Sequence, residues 1–175
     1  MPTIQPAHIP PHALLHKYAS LPAAYTDCYT TTLPVLISFA DYLFAFYTTP
    51  LFKLERLILG LSIRKPSTDA EARALANGLR ASFAAWTVEA RTEDQILMCD
   101  ISGRTRSWLL AVPEGRDTRL YFGSAVVPVT DPRTSQASLG PIFNALLGFH
   151  KLYSISLLWA ASLHLRRLQR GKARA

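Results

Sequence analysis

Four runs of alternating apolar and polar residues, joined by short turn sequences, limit most strongly what this chain can fold into. The runs are FAAWTVEAR, QILMCDI, RTRSWLLAV and RLYFGSAVVPV. Turn-forming residues separate them, at Glu93-Asp94, at Ser102-Gly103 and over residues 113–117. A period of two puts successive side chains on opposite faces of a strand, and connections this short join antiparallel neighbours. The segment therefore predicts a four-stranded antiparallel meander.

A further strand and several helices are predicted on either side of the meander. The residues YTDCYTTTL, which end before Pro34, predict an earlier strand. Helical spacing predicts helices over residues 36–48 and 51–61, separated by Pro50, which has no N–H to donate. Thr68 and Glu71 have the spacing of a capping box and predict a helix over residues 69–81. The fold class predicted is α+β.

The last predicted helix, LGPIFNALLGFHKLYSISLLWAASLHLRRLQR, runs for about thirty residues and is apolar on more than one side. Phe149 and Tyr153 mark one side, whereas Leu158 and Trp159 fall on others. A single sheet cannot cover all of them, so either the sheet wraps round this helix or a second subunit of a homodimer covers the rest. Lys151 and the other polar residues within it argue against a membrane span, because charge in the bilayer centre is costly.

The length and the start of the chain set its organisation and compartment. Its 175 residues can bury one stable core, and two cysteines are too few for a disulfide framework. Residues 1–22 lack the cationic and apolar runs of a secretory signal, which favours a cytoplasmic protein. We expect a flexible lead-in over residues 1–22, one domain over residues 23–170 and a basic tail over residues 171–175.

The positive charge is concentrated at the C-terminal end. The formal net charge is +7, and every acidic residue lies at or before Asp131. A terminal cluster of cations attracts the phosphates of lipids and of nucleic acids equally, because Coulomb attraction does not depend on the nucleotide sequence. This predicts at most a weak contact with anionic surfaces and no specific nucleic-acid partner, and a solvated basic tail completing a helix is the plainer interpretation.

The order of these elements resembles the helix-grip superfamily, which includes polyketide cyclases, lipid-transfer domains and plant pollen-allergen-like proteins. More narrowly, the phrases FADYLFAFYTTPLFKLERLILGL, MCDISGRTRSWL, TRLYFGSAVVPV and LLGFHKLYSISLL look like a bacterial family of domains of unknown function near that superfamily. The resemblance covers about residues 25–167. It implies a curved antiparallel sheet that grips the C-terminal helix around an apolar cavity. The sequence predicts five strands, whereas the superfamily has six or seven, so a smaller cavity is expected.

Strand register and the resemblance suggest which residues contact a ligand. A two-residue turn at Ser102-Gly103 pairs Cys99 with Arg106 and Leu97 with Trp108. Arg106 then meets an anionic or carbonyl group of a ligand, lies on an exposed edge, or forms a structural pair with Asp100 or Glu89. The residues predicted to contact a ligand are Tyr29, Asp100, Arg106, Trp108, Tyr121, Phe149 and Tyr153. Asp27, Cys28, Tyr29, Asp100 and His150 could act as acid, base or nucleophile if the fold brought them together.

The sequence contains no phosphate-binding glycine loop, dinucleotide fingerprint, histidine-glutamate metal motif or nucleophile elbow. It therefore indicates no cofactor and no metal. The first functional hypothesis is a non-enzymatic module that binds a small apolar or lipid-like molecule between sheet and final helix. The alternatives are a cyclase-like or isomerase-like enzyme using polar groups in the same cavity, and a dimeric interaction protein.

Overall fold

The meander predicted from the sequence forms the centre of a seven-stranded antiparallel sheet. The structure, a computed structural model, describes residues 2–54, 67–130, 137–139 and 141–172. The strands of this sheet are β1 (Gln5–Pro6), β2 (Tyr25–Leu33), β3 (Ser82–Phe83), β4 (Trp86–Arg91), β5 (Gln95–Asp100), β6 (Thr105–Glu114) and β7 (Asp117–Val126), in the order β1-β2-β7-β6-β5-β4-β3. A separate two-stranded ribbon pairs β8 (Val129–Thr130) with β9 (Ala137–Ser138).

The described helices are α1 (His16–Ala19), α2 (Phe39–Tyr47), α3 (Asp69–Ala76) and α4 (Pro141–Lys172). The predicted fold class, a curved antiparallel sheet gripping a long C-terminal helix with helices after the first long strand, is confirmed. The expectation of five strands was wrong. The two additional strands of the sheet, β1 and β3, and the two strands of the separate ribbon, β8 and β9, are each only two residues long, too short for a repeating pattern to show.

Local signals explain where α2 and α3 begin and where α3 ends. The Ser38 side chain accepts a hydrogen bond from the Asp41 N–H (3.1 Å), and Thr68 and Glu71 form the predicted capping box. The helix predicted over residues 69–81 ends five residues early, at Ala76. Gly78 (φ +75°) turns the chain there, and the N–H of Leu79 closes the turn on the Ala74 carbonyl (2.8 Å).

The helix predicted over residues 51–61 is seen only in part. Residues 50–54 are helical, and the remainder of the prediction lies outside the described residues. Pro50 begins this helical stretch, where its missing N–H costs nothing, and separates it from α2 as expected.

Helix α4 is 32 residues long, in agreement with the length predicted. One side packs on the sheet and α2, with Leu157, Leu158, Ala161 and Leu165 buried. Other apolar side chains of α4 remain exposed, namely Phe149 (67%), Leu152 (63%) and Trp159 (39%). In the part of the chain that the structure describes, neither α4 nor any other helix combines the length and apolarity needed to cross a bilayer.

Both faces of the sheet are covered, each by a different part of the chain. On the inner face, α2, α3 and α4 enclose an aromatic core in which the Phe46 and Phe122 rings lie 5.0 Å apart. On the outer face, the N-terminal segment (residues 2–22) covers Trp108 and Leu97. The central strands are therefore apolar on both faces, and their alternation alone does not tell the two faces apart.

The N-terminal segment is held to the sheet by side chains and by strand pairing. Leu15 is fully buried against the outer face, and the Gln95 side chain, itself buried, accepts a hydrogen bond from the Leu14 N–H (2.9 Å). Strand β1 pairs with β2. These are the residues that the sequence predicted as a flexible lead-in. The domain boundaries at residues 22 and 170 stay predictions.

Candidate functional site

Three polar side chains meet at the junction of β2, β7 and α4. Asp27 and Ser124 are paired residues on neighbouring strands. The Ser124 hydroxyl lies 2.6 Å from Asp27 Oδ1 and 2.8 Å from His150 Nε2. The His150 ring, which α4 places above the strands, has Nε2 3.8 Å from Asp27 Oδ2. The fold thus joins residues far apart in sequence into one cluster, which we call the Asp27–Ser124–His150 cluster.

The hydrogen bonds of this cluster fix the tautomer of His150. Ser124 carries a single hydroxyl proton, and an ionised Asp27 can only accept, so that proton points to Asp27 Oδ1. The nitrogen facing Ser124 must then donate, which places a proton on His150 Nε2. An imidazole that donates to a serine cannot remove its proton. Ser124 is therefore not set up as an activated nucleophile.

Burial governs the electrostatics of the cluster. The Asp27 side chain is 7% exposed and that of His150 is 21% exposed. Burial lowers the pKa of His150 below its usual value, and the nearby Asp27 carboxylate opposes this effect only in part. The imidazole is therefore neutral at pH 7.

Tyr25 adds a hydroxyl and a ring to the cluster. Its hydroxyl donates to Asp27 Oδ2 (3.2 Å), and its ring meets that of His150 edge-on at 5.6 Å. Burial, reinforced by the Asp27 charge, raises the pKa of Tyr25, so the phenol keeps its proton. Among the described residues the Asp27 carboxylate accepts from three donors, and a carboxylate offers about four acceptor positions. One further donor can be accommodated.

A groove of about 680 Å³ opens beside this cluster, and we call it the β2–α4 groove. The N-terminal segment, β2 and α4 form its walls, which are mainly apolar. Asp27 lines the groove and so connects it to Ser124 and His150. The lining residues are Pro6, Ala7, His8, Ile9, His16, Ala19, Tyr25, Thr26, Asp27, Cys28, Tyr29, Lys151 and Ile155.

Among the residues predicted to contact a ligand, three lie on the same side of the sheet as α4. Tyr29 lines the β2–α4 groove. Phe149 and Tyr153 stack on each other on α4, with ring centroids 6.0 Å apart, but neither lines the groove. Their assignment as ligand contacts stays a prediction.

The other four predicted contacts lie away from the groove. Arg106 and Trp108 lie on the outer face, as does the ring of Tyr121, which packs 6.1 Å from that of Trp108. The Asp100 carboxylate accepts the Ser102 hydroxyl (2.5 Å) and closes the turn between β5 and β6. The predicted pairs of Cys99 with Arg106 and Leu97 with Trp108 are both present. The predicted register between β5 and β6 is therefore confirmed, but a register does not show which element covers the outer face of the sheet.

Arg106 forms the structural pair that the sequence left open. Its Nε lies 2.7 Å from Glu89 Oε2, and it donates to the Tyr18 hydroxyl at 2.9 Å. Lys17 also binds Glu89. Hydrogen bonds from these cations outweigh the effect of burial and lower the pKa of Glu89. This network ties the N-terminal segment to the sheet.

Of the proposed acid, base and nucleophile candidates, the fold brings together only Asp27 and His150. The Cys28 side chain packs on the outer face, where burial raises its pKa to about 12 and keeps the thiol protonated. Sequence reasoning missed Ser124. Its signal was the run of small residues Gly123-Ser124-Ala125 in an otherwise aromatic strand, which marks a close approach of another element.

A second groove, of about 780 Å³, lies between α4 and residues 48–53. Trp159, Leu163 and Leu51 form part of its apolar wall, and Arg167 also lines it. It has no buried group comparable to the Asp27–Ser124–His150 cluster among its described residues. In the described part of the chain, no three histidine, cysteine or acidic side chains are close enough to hold a metal ion.

Comparison with known proteins finds little. No protein-family model matches the chain, and no curated protein matches it. Among solved structures, the chain is similar to CalU16 from Micromonospora echinospora, with 12% sequence identity and a TM-score of 0.40, over 95% of this chain and 83% of CalU16. A likeness this distant assigns neither a family nor an activity.

Proposed function

We propose that this protein binds a small, mainly apolar molecule in the β2–α4 groove. The observation that carries the proposal is the combination of an apolar groove with one buried polar cluster at its wall. Ligand sites of about 300–1,000 Å³ with apolar walls and a few fixed polar groups are the usual form of small-molecule sites, and the groove has about 680 Å³.

The polar cluster indicates which group the ligand carries. The remaining acceptor position of Asp27 suits a hydroxyl or N–H donor, and Lys151 at the opposite wall suits an acceptor. Tyr29 and Ile155 provide apolar surface between them. An apolar molecule with one hydroxyl group fits this pattern, because burying Asp27 under a purely aliphatic ligand would leave its free lone pair unsatisfied.

Native mass spectrometry of freshly purified protein tests this proposal directly, because a co-purifying ligand would reveal its mass. As a quantitative assay, N-phenyl-1-naphthylamine fluorescence reports apolar binding. Ile155→Asn should weaken the affinity for this probe about tenfold, since one buried aliphatic side chain contributes roughly 1.5 kcal/mol or more. Leu152→Asn, which changes an exposed residue outside the groove, is the matched control. Equal probe binding by both variants and the wild type would contradict the proposal.

Acid–base catalysis on the bound molecule is a second candidate, favoured by the 3.8 Å approach of two titratable groups, Asp27 and His150. A neutral imidazole that is held by Ser124 and lies 3.8 Å from the Asp27 carboxylate is suited to moving a proton, as an isomerase or cyclase requires. The test incubates any co-purifying ligand with the protein and searches for an isomeric product by chromatography. His150→Gln should abolish that conversion and His12→Gln should preserve it, whereas conversion by both variants would contradict this candidate.

Self-association through α4 is the third candidate, supported by the exposed apolar side chains of Phe149, Leu152 and Trp159 on that helix. Two copies packed together through these side chains would remove all three from water. Sedimentation tests it: Trp159→Arg should convert a dimer to a monomer. A mass that is the same for the variant and the wild type would count against this interface.

A further inference from the structure

A third, smaller cleft lies beside Gln5, where β1 begins, near the opposite end of β2 from the β2–α4 groove. Its volume is about 330 Å³, and its lining is mainly polar. Thr31 and Thr32 of β2, Arg119 of β7 and Arg166 of α4 all line it. No acidic side chain lines this cleft among the described residues.

Two buried polar atoms at this cleft have no hydrogen-bond partner among the described residues, and they mark it as an incomplete site. They are Nε of Arg166 and Oγ1 of Thr31. The Thr31 side chain is almost fully buried, in a residue 3% exposed, and Arg166 is half-buried. Arginine cannot shed its charge in a protein, and a half-buried cation that meets no counter-ion among the described residues, as Arg166 does here, is costly. A ligand with negatively charged oxygens would supply a hydrogen-bond acceptor for the Arg166 Nε–H and for the Thr31 hydroxyl.

Two further groups point to the same kind of partner. Arg119 binds Glu114 through Nε (3.0 Å) and also hydrogen-bonds the Tyr121 side chain, and neither partner lines the cleft, so the guanidinium adds positive charge to the lining. The Ala7 N–H donates to the Cys28 carbonyl of β2. Alternate residues from Cys28 to Thr32 therefore present their backbone groups to the edge of β2 that faces β1. Because β1 begins at Gln5 and does not reach Thr32, no described backbone carbonyl accepts from the Thr32 N–H at this edge.

We propose that this cleft binds a small oxyanion, the phosphate or carboxylate group of a ligand, with Arg166 as its principal contact. A guanidinium presents parallel N–H donors that match two oxygens of such a group, and bonds of this kind are about twice as strong as neutral ones. This site is separate from the β2–α4 groove and does not depend on the function proposed for it.

Phosphate titration of ¹⁵N-labelled protein at constant ionic strength, with chloride as the reference anion, tests this site. The amide signals of Thr31 and Thr32 should shift saturably with phosphate. Arg166→Gln should weaken binding about tenfold to a hundredfold, the usual loss for a charge-assisted hydrogen bond. Arg167→Gln is the matched control, because it removes the same charge from the next, exposed residue of α4 and should leave binding within twofold.

A parallel arm with phosphatidylglycerol vesicles separates the two sources of phosphate. Vesicle binding lost in Arg166→Gln but kept in Arg167→Gln identifies a lipid headgroup, and a response only to inorganic phosphate or acetate identifies a soluble anion. Should Arg166→Gln fail to fold, Arg119→Gln provides the same comparison with a smaller expected loss. Equal losses in the Arg166 and Arg167 variants, or no saturable response to any of these anions, would overturn the proposal.

Discussion

Replacing Gln95 with leucine should destabilise the protein by about 3 kcal/mol, because this buried side chain joins the N-terminal segment to the sheet. Its Oε1 accepts from Trp108 Nε1 (2.8 Å) and from the Leu14 N–H (2.9 Å), and its Nε2 donates to the His12 carbonyl (3.2 Å). Leucine has a similar volume but replaces none of these bonds.

The expected destabilisation is the sum of the costs to the three groups that lose a hydrogen bond to Gln95. Trp108 is fully buried, so its N–H would be left without an acceptor, at a cost of about 1–3 kcal/mol. The other two bonds are only partly buried, and water can replace some of what is lost, so each contributes about 1 kcal/mol or less. Urea denaturation followed by circular dichroism measures the difference in unfolding free energy.

A double-mutant cycle with Trp108→Phe isolates the central bond. Phenylalanine has no ring N–H that could be left without an acceptor. Adding Gln95→Leu to that background should therefore lower the unfolding free energy by about 1–2 kcal/mol less than it does in the wild type. A loss below about 0.5 kcal/mol for Gln95→Leu alone, or strictly additive effects in the cycle, would refute the account of Gln95 as the link between these two parts.

Three further predictions concern other parts of the fold. Because burial lowers the pKa of His150, the imidazole binds a proton more readily in the unfolded chain than in the folded protein. The unfolding free energy should therefore fall as the pH drops below about 6.5, by at most about 1.4 kcal/mol per pH unit. Urea titrations at pH 7.5 and 5.5 should show a smaller fall in His150→Gln and an unchanged fall in His16→Gln. Gly123→Ala should cost more than about 2 kcal/mol, since its Cβ would lie 2.8 Å from the Asp27 carbonyl oxygen, which cannot move aside; a melting temperature within 2 °C of wild type would contradict this. Arg91→Met should cost about 1–2 kcal/mol, because Arg91 donates to two carbonyls of the last turn of α3 (2.6 and 2.7 Å), and unchanged denaturation would refute that role.

Features that depend on neighbouring residues were predictable. The sequence predicted β2 with the bounds it has, since Pro34 ends a run of aromatic and β-branched residues. The register between β5 and β6 followed from the turn at Ser102-Gly103, where Gly103 has φ +71°. The early end of α3 is also marked locally, by Asn77-Gly78, because glycine readily takes the left-handed conformation that ends a helix.

The candidate site was predictable only in part. Asp27 and His150 were recognised as residues able to carry chemistry, but Ser124, which lies between them, was not. Ser124 is 97 residues from Asp27 and 26 from His150, and no local pattern links the three. Trp108 was expected on a ligand cavity and instead packs under the N-terminal segment, because a strand pattern assigns side chains to a face without saying what covers it.

The sequence by itself determined the periods, caps and turns, and through them the antiparallel meander and the long final helix. Each of these depends on contacts between residues a few positions apart, which any fold of this chain retains. Only the tertiary structure decided that α4 covers the inner face of the sheet and residues 2–22 cover the outer face. Both faces are apolar, so the choice depends on the free energy of packing the whole core. That choice brought Asp27, Ser124 and His150 together beside a groove.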